Sequence, residues 1–153
     1  MTGAETINGK AIKGQPVCGV VAVAHVTGRD PEKVFKGFKK TLKMADKWRG
    51  GTYTWQVKKM LDQYRYKYEV ITEGRGTLAN WVEWYAMPGV SYIVQTGYHW
   101  QAVRDGIVTD QSGSHPIADY WGRRKHFKKA IKILTNRGTR KKVSSIDPTK
   151  TGV

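Results

Sequence analysis

From Val90 to Asp110 the chain is β-prone, and its last two runs, Tyr98 to Arg104 and Ile107 to Asp110, are separated only by Asp105-Gly106. An Asp-Gly pair between β-prone runs is the strongest short-range hairpin signal. It constrains this chain more than any other feature because a two-residue turn sets the register. Arg104 then lies opposite Ile107, Val103 opposite Val108, Gln101 opposite Asp110 and His99 opposite Ser112. Opposed residues share a face and side chains alternate along a strand, so His99, Gln101, Val103, Val108 and Asp110 line one side. His99 and Asp110 become diagonal neighbours, roughly 7–8 Å apart between backbones and within side-chain reach. A carboxylate so placed holds one imidazole nitrogen and fixes the tautomer. The other nitrogen is left to face a nucleophile.

The nucleophile the chain offers is Cys18, its only cysteine, in Gln15-Pro16-Val17-Cys18-Gly19. The run that follows, CGVVAVAHV, is small and apolar on nearly every side and ends at Thr27-Gly28, which predicts a buried helix with Gly28 as its C-cap. A buried valine-rich strand has a similar pattern, but Gly28 and the helix start at Asp30-Pro31 favour the helix. At a helix start the free backbone N–H groups and the helix dipole favour a thiolate. A free cysteine is ordinarily a small buried hydrophobe. Cysteine on a helix, histidine on a later strand and a carboxylate on the next are nevertheless the parts of a Cys-His-Asp acyl-transfer site.

The segments CGVVAVAHVTGRDPEKVFKGFKK, RGGTYTWQVKKML and PGVSYIVQTGYHWQAVRDGIVTDQ together resemble a group of small papain-like cysteine peptidase-type proteins of bacteriophages, over about residues 14 to 112 in order and spacing. The resemblance implies an α+β, papain-like fold in which Cys18 attacks a carbonyl, His99 is the base and Asp110 orients it. It implies no cofactor, a polypeptide or other amide as substrate, and a place in the cytoplasm of a phage host or in a virion. Papain-like enzymes also carry an oxyanion-binding glutamine several residues before the cysteine. Here Gln15 stands only three residues before it, and the backbone N–H of Cys18 is a second donor for that role.

Elsewhere, Asp30 caps a helix with Val34, Phe35, Phe38 and Leu42 on one face, and Thr52 or Thr54 opens a third helix carrying Trp55, Val57, Met60, Leu61 and Tyr64. Tyr66 to Thr72 alternates as a strand, Thr77 caps a short helix from Leu78 to about Tyr85, and Pro88-Gly89 ends it. The cluster Trp81, Trp84 and Tyr85 is read as core or an interface face. His25 is two turns from Cys18 and is read as packing, while His115, in a stretch read as irregular, is the substitute for His99. Four scattered histidines and one cysteine lack zinc-ligand spacing, so no metal is expected.

The domain expectation is an arm at 1–13, a papain-like domain at 14–135 and a basic flexible tail at 136–153. Phe127, Ala130, Ile131 and Leu134 recur at helical spacing, which predicts a basic C-terminal helix from about Arg123 to Leu134. From Arg123 to Val153 there are eleven basic residues against one acid, Asp147, so about +10 of the formal +15 lies in the last fifth of the chain. Arg123, Arg124, Lys125, Lys128, Lys129, Lys132, Arg140, Lys141 and Lys142 are therefore candidate polyanion contacts. The alternative to an enzyme is an inactive papain-fold binding or virion protein that turns this basic surface to nucleic acid or an acidic partner. No apolar run suits a membrane span or signal peptide.

Overall fold

The computed structural model describes residues 6–7, 10–11, 17–43 and 52–136. Strands β1 (Thr6–Ile7) and β2 (Lys10–Ala11) pair antiparallel within the expected arm. Helices α1 (Cys18–Thr27), α2 (Pro31–Leu42) and α3 (Thr54–Gln63) follow, then β3 (Tyr66–Ile71) and α4 (Leu78–Trp84). Strands β4 (Tyr92–Thr96), β5 (His99–Arg104), β6 (Ile107–Asp110) and β7 (Gly113–Pro116) form a meander, and a 3-10 turn (Ile117–Asp119) leads toward β8 (Phe127–Asn136). The fold is α+β, with a six-stranded antiparallel sheet in the order β3-β8-β4-β5-β6-β7. No helix among the described residues is long and apolar enough to cross a membrane.

Local chemistry accounts for the helix ends. Gly28 closes α1 in the left-handed conformation, at φ 67°, with its N–H on the last-turn carbonyls. Asp30 accepts from the Glu32 and Lys33 amides while Pro31 takes the position that needs no donor. Thr77 accepts from the Asn80 amide at the start of α4.

The sheet divides the core in two. On one face α1, α2 and α3 pack with Ile93, Trp100, Ala102 and Ile131. On the other, α4 and the 3-10 turn cover Tyr92, Val94, Val103, Val108 and Ala130. Burial on both sides explains why Tyr92, Ile93 and Val94 of β4 are apolar in succession rather than alternating with polar residues.

Two expectations are corrected. The predicted basic helix is the interior strand β8, bonded to β3 on one side and β4 on the other. Its misleading period has a physical cause. The register slips so that Gln95 faces Lys129 but Thr96 faces Phe127, and this bulge puts Phe127 and Ala130, three residues apart, on one face. Ile131 points to the other core. The stretch read as irregular after Gln111 is the edge strand β7, ending at Pro116 where no ladder donor is needed.

Candidate functional site

The Asp-Gly turn gives the register its spacing predicts: Arg104 faces Ile107, Val103 faces Val108 and Ala102 faces Thr109. Asp105 and Gly106 both adopt positive φ, as such a turn requires. Asp110 leaves β6 on the face of Val103 and Val108, where its Oδ2 lies 3.0 Å from Nε2 of His99. His99 keeps 22% of its side chain exposed, whereas Asp110 keeps 1%.

A carboxylate that deep needs donors, and five contacts supply them. Oδ2 receives the Tyr120 hydroxyl at 2.7 Å and Nε1 of Trp121 at 3.0 Å besides His99. Oδ1 receives the Ser112 amide at 2.8 Å and the Ser112 hydroxyl at 2.5 Å. Burial pushes the Asp110 carboxyl up, but the bonds from His99, Ser112 and Tyr120 outweigh it and hold the group well below the usual carboxylate range. Burial together with the Asp110 charge pushes the Tyr120 hydroxyl far above its ordinary value, so it stays a neutral donor.

Cys18 heads α1 and is buried, with Val17 as an N-cap that offers no side-chain bond. Its thiol lies near enough to His99 to act on the imidazole's proton affinity. Nε2 of His99 already faces Asp110 and Tyr120, so Nδ1 is the nitrogen left for sulfur. Burial would lower the His99 pKa, but the bonds to Asp110 and Cys18 and the negative charge of each outweigh it and raise it to about 9. The two halves come from opposite faces of the sheet: α1 lies with Trp100 and Ala102, while Asp110 lies on the face of Val103. They meet at His99, where β5 begins.

Two further features shape the site. The Trp121 ring stands 5.1 Å from that of His99, tilted by 59°, and covers the imidazole–carboxylate bond while remaining 54% exposed. Beside Cys18, Gly19 lets Thr52 approach so closely that a Cβ there would lie 2.1 Å from the threonine Oγ1. An open cleft bounded by Tyr53, Thr54, Trp55 and Lys58 adjoins this contact at the start of α3.

The other candidates fall elsewhere. Gln15, Arg140, Lys141 and Lys142 lie outside the described residues, as does all but the first residue of the expected tail. Of the remaining basic residues, the strand divides what a helix would have gathered. Lys129 reaches Oγ1 of Thr54 at 3.1 Å and Lys132 reaches Met87 at 3.5 Å, while Lys128 lies over the Tyr98 ring. Arg123 bonds the Tyr120 carbonyl, and Arg124 and Lys125 are exposed in the turn before β8. His115 bonds Ser112 at 3.2 Å, and His25 lies 3.5 Å from the Thr109 hydroxyl. Of the aromatic cluster, Trp81 is core, stacked on Phe127 at 5.0 Å, whereas Trp84 is 74% exposed. No group of histidine, cysteine and carboxylate side chains among the described residues is suited to a metal.

Sequence reasoning missed the parts played by Tyr120, Trp121 and Ser112. Gln101 was legible by alternation as sharing the His99 face, but its partner Tyr120 comes from beyond β7, where no local period points. No protein-family model, curated protein or solved structure matches the chain.

Proposed function

We propose that the protein is a papain-like thiol hydrolase that cleaves an amide through Cys18, His99 and Asp110, the reaction class implied by the resemblance to phage cysteine peptidase-type proteins. One observation carries this reading: a thiol at a helix start faces an imidazole whose far nitrogen is held by a buried carboxylate. In the cycle Nδ1 of His99 carries the proton that sulfur gives up, and, against burial, the bonds and charges around the imidazole raise its pKa to about 9. Sulfur attacks the carbonyl carbon, an S–C bond forms and the C=O electrons move to oxygen. The Cys18 amide is among the first-turn N–H groups that have no acceptor within the helix, and it serves the oxyanion.

As the carbonyl reforms, the C–N bond breaks and Nδ1 of His99 gives its proton to the leaving amine. The neutral imidazole then takes a proton from water, which attacks the thioester. The C–S bond breaks, releasing the acid and returning sulfur and imidazole to their starting state. Asp110 keeps its charge throughout, and its role is to orient and stabilise the imidazolium.

Alkylation of Cys18 by iodoacetamide tests the site without a known substrate. The native protein is expected to label quickly at pH 5–6, and His99→Ala to slow labelling by about tenfold or more. Equal rates in the two proteins would sink the enzyme reading. Slow labelling, with salt-sensitive retention on heparin or DNA, would favour a binding protein.

A further inference from the structure

Gln101 is fully buried on the same face as His99, and its amide cannot turn over. Its Nε2 lies 2.7 Å from the Val94 carbonyl, which only accepts, and 3.4 Å from the Thr96 hydroxyl. The amide oxygen therefore faces the Tyr120 hydroxyl, 3.0 Å away. Tyr120, itself wholly buried, has one proton and two neighbouring oxygens that can only accept it, Oε1 of Gln101 and Oδ2 of Asp110 at 2.7 Å. Its third neighbour is Nε2 of His99, at 3.1 Å. Whichever oxygen takes the proton, a lone pair of the tyrosine oxygen is left toward the imidazole.

Nε2 thus faces two acceptors, Asp110 and Tyr120, and an unprotonated nitrogen there would set lone pair against lone pair. From this geometry we infer that Tyr120, anchored by Gln101, is a positioning residue that keeps a proton on Nε2 of His99 throughout the cycle, so that Nδ1 alone exchanges protons with Cys18 and substrate. The inference deepens the proposed function and rests on that reading of the site. A second acceptor has a purpose here, because Oδ2 of Asp110 is divided among His99, Tyr120 and Trp121 and its hold on the ring is diluted. Among the described residues the titratable groups around His99 are Cys18 from α1, Asp110 from β6 and Tyr120 after the 3-10 turn. His115 stands behind Tyr120 with its ring 6.2 Å away.

The test reads the tautomer directly, by ¹⁵N NMR of the His99 ring above its titration, beside the rate of Cys18 alkylation. Asp110→Ala is expected to keep Nε2–H as the main neutral form, since Tyr120 still gives its proton to Gln101. Adding Gln101→Met removes that acceptor. Tyr120 then donates to Nε2, the ring moves to Nδ1–H, and alkylation falls by about a further tenfold, the scale of one lost hydrogen bond to an ionised or ionising group. Tyr120→Phe in the otherwise native protein is expected to slow alkylation about tenfold at pH 7 and, by leaving Oε1 of Gln101 without its donor, to lower the melting temperature.

A merely structural tyrosine would leave the tautomer unmoved. The same ring spectrum in Asp110→Ala with and without Gln101→Met overturns the inference. If the Asp110 variants do not fold, Tyr120→Phe decides alone, and an unchanged alkylation rate overturns it. Native alkylation that ignores His99→Ala defeats the proposed function instead, while the ring spectra still report what Tyr120 does to the histidine.

Discussion

At the scale of the residue, the site is a buried anion balanced against a partly exposed base, and its charges tie stability to pH. His99 has a folded pKa raised from 6.5 to about 9, so its share of stability is complete below 6.5 and is lost as pH rises through 9. Asp110 has a folded value below its ordinary 3.8, so its share is present above 3.8 and is lost as pH falls. The pair stabilises the fold most between about pH 4 and 6.5. Melting temperature followed against pH is expected to decline above pH 7 in the native protein. In His99→Gln the alkaline decline should be shallower, and an identical alkaline slope would show that the imidazole contributes nothing. Cys18 was legible as a candidate because it is the only thiol and precedes a glycine-ended apolar run. Tyr120 was not, because a tyrosine that donates to a carboxylate has the same sequence signature as one that merely packs.

At the scale of the element, the start of α1 depends on its contact with the start of α3. Gly19 is helical and needs no glycine for its backbone, yet any side chain would collide with Thr52, whose Oγ1 is buried without a partner. Gly19→Ala is expected to cost about 1–3 kcal/mol by overpacking, measured by urea unfolding, and to slow Cys18 alkylation by shifting the helix start. Thr52→Ala should recover part of that loss in the double variant, since it removes the atom in closest conflict. Full additivity of the two changes would mean the residues do not touch. The helices α1 to α4 could be placed from the sequence because each carries a helical period or an end signal, such as Gly28, Asp30-Pro31 or Thr77. The β8 strand could not, because its bulge mimics the i, i+3 spacing of a helix and the lysines between suggest a solvated face.

At the scale of the whole molecule, β8 joins the parts. Among the described residues it is the sole neighbour of β3 in the sheet, and it carries Ala130 into one core and Ile131 into the other. Ile131→Ala is expected to destabilise the protein by about 2–5 kcal/mol in chemical unfolding, the cost of a cavity in a close-packed core. An effect under about 0.5 kcal/mol, the size of an ordinary surface change, would contradict the position of β8. The sequence by itself determined the helices, the β5–β6 hairpin and the nearness of His99 to Asp110, since each follows from contacts between residues close along the chain. Tertiary structure alone decided that β8 completes the sheet, that Tyr120 closes over Asp110 and that Cys18 reaches His99 from the opposite layer. Those contacts join segments whose separation is set by packing and burial, and local spacing carries no record of them.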